Sequence, residues 1–233
     1  MIRVFVSGGT GYIGQRLTRL LVERGHAVAA LVRSGSEHKL PKGVTPVIGD
    51  VLDGASFTKR IPPSDTFVHL AGVSHPSPWK EREFRRVDLA SVKASVAAAT
   101  SNRILNIVYV SVAQPAPIMK AYLRVRAECE ALLAESGLDA NILRPWYVLG
   151  PGHWWPLSLV PMYRLFENIP STRETATRLG LVTIREMVCA LAWAIENPAS
   201  GQRIISVPEI RATAARWIRE RDAGAATAST GRA

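Results

Sequence analysis

Cysteine is nearly absent: Cys129 and Cys189 alone in 233 residues leave no material for a disulfide framework or a cysteine-rich metal site. Both lie in amphipathic patterns, where a cysteine serves as a small buried hydrophobe, and no metal site is assigned. Long apolar runs are missing too. Arg, Glu or Pro interrupts every stretch before it reaches the roughly 18 residues that a membrane span requires. The N-terminus lacks the basic, apolar and small-residue regions of a secretory leader, since Met1–Val6 runs directly into a strand pattern. A cytoplasmic chain with no membrane span is the expectation. No internal repeat is visible.

Acidic residues are few beside basic ones, 19 against 29, for a net charge of +10. Such an excess suits a nucleic acid when the cations cluster. Here they are scattered, and one local concentration stands out: Arg211, Arg216, Arg219 and Arg221. The pattern reads as a solvated basic face, so nucleic acid is not the expected partner. A composition 47% hydrophobic and 21% charged is that of a folded globular chain, and its length suits one main unit.

Apolar runs and helical spacings alternate along the first 145 or so residues. Strands are predicted at Ile2–Val6, Ala27–Val32, Val44–Ile48, Thr66–Leu70, Ile104–Val110 and Ala140–Leu143, with Pro46 weakening the third. Helices are predicted from Ile13 to a stop at Gly25, as one continuous segment from Trp79 to Thr100, and from Tyr122 to Ser136. Asp53 caps a shorter helix. This alternation predicts an α/β fold with a doubly wound parallel sheet.

After Arg144 the sequence turns rich in Pro, Trp and Gly. Thr183 and Glu186 have capping-box spacing ahead of a helix from Ile184 to about Glu196, and Arg203–Val207 reads as a late strand. The division expected is a core over 1–152, a small C-terminal substrate-binding region integrated with it over 153–221, and a disordered tail over 222–233.

The most informative segment is the first turn. Gly9, Gly11 and Gly14 satisfy G-x-G-x-x-G, and Gly8 adds a further glycine. The pattern alone is weak, but here it follows a strand and opens a helix. Glycines let the backbone turn tightly and approach a pyrophosphate, while free N–H groups and the positive helix end attract the anion. The residues at this turn, Gly8, Gly9, Thr10, Gly11, Tyr12, Ile13 and Gly14, therefore predict a dinucleotide site. An acidic residue at the end of the second strand would take the ribose hydroxyls of NAD. This chain has Arg33 there, which can pair with the 2′-phosphate of NADP, so NADP is the expected cofactor and NAD the alternative.

The run Ser7-Gly8-Gly9-Thr10-Gly11-Tyr12-Ile13-Gly14 resembles the fingerprint of the extended and atypical short-chain dehydrogenase/reductases, the group that contains sugar-nucleotide epimerases. Gly49-Asp50 resembles the family's adenine-contacting aspartate segment, and His69-Leu70-Ala71-Gly72 its loop after the fourth strand. Arg144-Pro145-Trp146-Tyr147-Val148-Leu149-Gly150-Pro151-Gly152 is similar to its Arg-Pro and Gly-Pro-Gly segment. The resemblance implies a Rossmann core, and cofactor contacts from Asp50, Leu70, Ala71, Gly72 and Pro145. It also implies a catalytic serine at Ser111 and a proton-transferring tyrosine at Tyr122.

Two positions depart from the family pattern. Residue 126 is Arg where Tyr-x-x-x-Lys requires lysine, and Asp88 stands where many relatives place asparagine. Lys120, two residues before Tyr122, faces elsewhere on the helix and is no substitute. Arg126 lies one turn from Tyr122, where a cation would lower the phenol's pKa; the alternative is an amphipathic tyrosine beside a surface arginine. The loop His153-Trp154-Trp155-Pro156-Leu157 either lines an aromatic substrate pocket or packs the small lobe, and His75 and His153 have no recognisable metal or triad partners.

Two functions follow as expectations. One is an NADP-linked oxidoreductase or epimerase-like enzyme acting on a small molecule through Ser111, Tyr122 and Arg126. The other is a catalytically reduced nucleotide-binding subunit of the kind associated with respiratory complex I. A homo-oligomer and a partner subunit both stay open.

Overall fold

The computed structural model describes residues 1–73, 76–152 and 177–230. In chain order the strands are β1 (Arg3–Ser7), β2 (Ala27–Val32), β3 (Val44–Ile48), β4 (Thr66–His69), β5 (Asn106–Val110), β6 (Asp139–Leu143), β7 (Tyr147–Leu149), β8 (Leu181–Thr183) and β9 (Gln202–Ile205). The longer helices are α1 (Tyr12–Glu23), α2 (Ala90–Ser101), α3 (Lys120–Glu135), α4 (Ile184–Glu196) and α5 (Val207–Thr230). A seven-stranded sheet runs β3-β2-β1-β4-β5-β6-β9, every neighbour parallel. β7 and β8 form a separate parallel pair.

Both faces of the sheet are covered, which is why its strands are apolar at successive positions rather than at alternate ones. Val4, Val6, Val28, Ala30, Val68, Val108, Leu143 and Ile205 meet α1, α4 and α5 on one side. Phe5, Ala29, Leu31, Phe67, Ile107, Tyr109 and Ile142 meet α2 and α3 on the other. Pro46 is accommodated because β3 is an edge strand, where a missing ladder N–H is tolerated. The order of connection reverses between β1 and β4, opening a crevice at the carboxyl ends of the strands.

Three regions differ from the sequence reading. The continuous helix expected from Trp79 begins instead with a 3-10 turn (Pro78–Lys80), three α-helical residues (Glu81–Glu83) and a π-helical segment (Phe84–Leu89) before α2. The widened π turn carries Phe84 and Asp88 into the interior. The short strands β7 and β8, three residues each, had no readable period. Finally, α5 reaches Thr230, into the stretch expected to be disordered. Ala223, Ala225, Ala226 and Ala228 are the strongest helix formers, and they extend a helix already anchored on the core. The capping box is realised, with the Thr183 hydroxyl accepting from the Glu186 N–H and the Glu186 carboxylate accepting from the Thr183 N–H.

Candidate functional site

At the β1 end of the crevice the wall is main chain. Gly8 turns with φ of +80°, and a Cβ there would stand 2.8 Å from the Ala71 nitrogen and the Leu70 carbonyl carbon. The loops after β1 and β4 therefore touch at a point that only glycine fits. The Gly11 N–H donates to the Gly8 carbonyl at 3.0 Å, and a Cβ on Gly14 would lie 2.2 Å from that same oxygen. Gly11 caps α1 with no side-chain hydrogen bond, so the N–H groups of its first turn carry no side-chain cap. Thr10, Tyr12 and Ile13 are half-buried beside the turn; the Thr10 carbonyl accepts from Gln15, Tyr12 carries the Arg16 guanidinium 4.4 Å above its ring, and Ile13 packs against the core.

Arg33 is exposed at the end of β2, where its carbonyl closes a turn to the Ser36 N–H through Gly35 in the left-handed region. Its guanidinium makes no hydrogen bond or ion pair among the described residues. Asp50 is exposed after β3 and accepts from the Leu52 N–H at 3.0 Å. Leu70, Ala71 and Gly72 are half-buried after β4, whereas Pro145 is buried after β6, its carbonyl accepting from the Ala113 N–H at 2.9 Å.

At the β5 end the surface is made by side chains. Arg126 is not at the surface. It is 6% exposed and turned under the sheet, where one terminal nitrogen donates to the Tyr109 hydroxyl and the Val110 carbonyl, both at 2.9 Å. The other donates to Asp88 at 3.0 Å. The same Asp88 oxygen accepts from the Val73 N–H at 3.1 Å. The two departures from the family pattern thus prove to be the two halves of one buried ion pair. Burial pushes the Asp88 carboxyl above its usual range, while the Arg126 charge and the Val73 N–H oppose the rise.

Tyr122 packs its ring on Phe84 at 4.9 Å between centroids, with the Arg126 guanidinium 5.0 Å from its own ring centroid. The expected lowering of its pKa is corrected. Burial raises the phenol above its usual value, Arg126 pulls it down, Asp88 pushes it up again, and the net shift is upward. The spacing argument located the cation correctly but omitted desolvation and the second charge.

Ser111 is buried and donates to Glu130 at 2.5 Å. Glu130 also pairs with Arg144. The structure therefore brings Tyr122 and Arg126 together and directs Ser111 into a different group of side chains. Sequence reasoning missed Glu130 and Tyr109 and gave His69 no role of its own; the signal for Glu130 was an acid one turn beyond Arg126 on a largely apolar helix face. His69, 1% exposed, lies within hydrogen-bond distance of the Ser7, Ser91 and Ser95 hydroxyls, and burial followed by the Arg126 charge lowers its pKa to about 3. Lys120 lines a hollow of about 420 Å³ with Leu123, Arg124 and Ala127, and a smaller one of about 80 Å³ with Phe84 and Tyr122.

His75 and the loop His153 to Leu157 lie outside the described residues. In the basic C-terminal segment Arg211 donates to the Leu181 carbonyl at 3.0 Å, and Arg216 lies over Trp193 and beside Glu220. Those two cations are engaged in packing α5. Cys129 and Cys189 are buried free thiols. Among the described residues no helix is long and apolar enough to cross a membrane.

Residues 8–150, more than half of the chain, match the family model described as NAD(P)H-binding. Among curated relatives, the ceramide reductase of Caulobacter vibrioides is 23% identical over 216 residues, 92% of this chain and 67% of that protein. The 4-hydroxy-2-methyl-3-oxo-4-farnesyl-3,4-dihydroquinoline-1-oxide ketoreductase of Stigmatella aurantiaca is 27% identical over 171 residues, 64% of this chain and 51% of that protein. The chain thus spans about half to two thirds of the length of these two relatives. Among solved structures, the Bordetella bronchiseptica enzyme WbmH in complex with NAD+ superposes with a TM-score of 0.67 at 23% identity, covering 88% of this chain and 75% of that one. A glycine turn that a Cβ would fill, a seven-stranded parallel sheet and the family match agree: the chain belongs to the NAD(P)H-binding family, with the Rossmann fold of the epimerase-like short-chain dehydrogenase/reductases.

Proposed function

We propose that this chain is an NADPH-dependent reductase of a carbonyl group on a small molecule, with Tyr122 as the proton donor. One observation carries the reading: the permanently charged Arg126 guanidinium lies 5.0 Å from the Tyr122 ring centroid, beside a phenol whose pKa burial raises. The reduced cofactor supplies a hydride when bound. The oxygen of the reduced carbonyl then needs a proton, which a neutral phenol can give, and Arg126 stabilises the phenolate left behind. The two relatives described above are named as reductases, which supports the reductive direction.

The turn Gly8–Gly14 and the loop Leu70–Gly72 would hold the pyrophosphate, Asp50 the adenine side, and Pro145 the wall after β6. Arg33, exposed and without a hydrogen bond or ion pair among the described residues, supports NADP over NAD, because NADP alone carries a 2′-phosphate. The substrate side is sought within residues 153–221, outside the β9, α4 and α5 segments that complete the core. Ser111 would have to leave Glu130 to polarise the carbonyl, so Tyr122 carries proton donation by itself. The test is NADPH oxidation against a panel of ketones and aldehydes. We expect turnover above background, reduced about a hundredfold or more in Tyr122→Phe with NADPH binding retained. Tight NADPH binding with no oxidation of any carbonyl would overturn the assignment.

A second reading, cofactor binding without turnover in a structural or regulatory subunit, is favoured by the engagement of Ser111 with Glu130. It predicts that Tyr122→Phe changes neither cofactor-induced stabilisation nor partner binding.

A further inference from the structure

Arg126 and Asp88 sit beneath the loop that leaves β4. A Cβ on Gly72 would lie 2.6 Å from the Asp88 oxygen and 2.8 Å from the Arg126 terminal nitrogen, so the loop backbone rests directly on the ion pair. The bonds at that oxygen join three elements: the π segment through Asp88, the β4 loop through the Val73 N–H, and α3 through Arg126. Arg126 adds the end of β5 through Tyr109 and the Val110 carbonyl. The pair is imperfectly satisfied, because the other Asp88 oxygen and the Arg126 Nε are buried without a partner among the described residues. A buried ion pair with orphan atoms is a poor source of stability compared with an apolar contact of the same shape. Its place under a cofactor-facing loop points to positioning instead.

We propose that Asp88 is a positioning residue for Tyr122, acting through Arg126, and that Asp88 and Arg126 work only as a pair, setting the register between the β4 loop and the helix that carries the phenol. The inference rests on Tyr122 as the reacting phenol, but its readouts are ionisation and cofactor binding rather than turnover. A failed reductase assay and a failed double-mutant cycle are therefore told apart. The charged and titratable groups facing the phenol are Arg126 and Cys129 from its own helix, Asp88 from the π segment and Tyr109 from β5.

The experiment is a double-mutant cycle of Asp88→Asn, Arg126→Met and both together, with two measurements. The first is the ultraviolet titration of the Tyr122 phenol, read as a difference against the Tyr122→Phe version of each variant. Loss of the Asp88 charge should move the titration to lower pH and loss of Arg126 to higher pH. The second is NADPH affinity, expected to fall about tenfold in each single variant, with the double variant no weaker than the worse single. Should Asp88→Asn not fold, the double variant is compared with Arg126→Met alone, and is expected to be the more stable because it buries no unpaired charge. Multiplying losses near a hundredfold, an unmoved titration in Asp88→Asn, or a double variant less stable than Arg126→Met would overturn the proposal.

Discussion

The two ends of the crevice are built from different materials. Beside β1 the walls are peptide groups held close by glycines, as Gly8 against Ala71 and Gly14 against the Gly8 carbonyl show. Beside β5 the walls are side chains from segments far apart in sequence, with Asp88 and Arg126 meeting across 38 positions. A main-chain site depends on which residues can be absent of Cβ, and every short stretch of sequence displays that. A side-chain site depends on which charges are desolvated together, and no local stretch displays that.

The sharpest way to break this comparison is to add one carbon at the first end. Gly14→Ala places a Cβ 2.2 Å from the Gly8 carbonyl, a contact that only backbone movement relieves. Calorimetric NADPH binding should fall at least about a hundredfold, roughly 2.7 kcal/mol. Undiminished binding would mean that the turn does not form the anion cradle.

A smaller effect should appear in the polar row that joins the two ends. His69 lies between Ser7 of β1 and Tyr109 of β5, its ring 5.8 Å from that of Tyr109. Its folded-state pKa, lowered to about 3 from 6.5, lies below that of the unfolded chain. The unfolded chain therefore takes up the extra proton first as pH falls. Stability contributed above about pH 6.5 is lost progressively toward about pH 3, at roughly 1.4 kcal/mol per unit. Denaturant unfolding at about pH 7 and about pH 5 should differ by about 2 kcal/mol more in the wild type than in His69→Gln. Equal pH dependence in the two proteins would show that His69 is not held neutral.

The smallest effect concerns the exposed rim. Arg33→Glu should weaken NADPH binding about tenfold while sparing NADH, which has no 2′-phosphate for that side chain to meet. Equal loss for both nucleotides would remove Arg33 from cofactor selection.

Much of this molecule was legible one segment at a time. β2, β3 and α4 fall on the residues that their apolar runs and caps marked, and the Thr183–Glu186 capping box forms as its spacing required. The glycine turn was equally readable, since it depends on local backbone freedom. The break before α2 was not, because α-helical periodicity cannot distinguish a regular turn from the widened one that brings Asp88 inward. Nor could the spacing of Tyr122 and Arg126 foretell the direction of the phenol's shift, which burial decided.

By itself, then, the sequence determined the order of most strands and helices and the glycine turn after β1, because periodicity, capping and the absence of a Cβ act over a few neighbouring residues. The tertiary structure decided that Asp88 and Arg126 are partners, that Ser111 faces Glu130, and that burial shifts the Tyr122 phenol upward. Those outcomes come from charges and hydroxyls of distant segments losing water together, and desolvation exists only once the chain has closed around them.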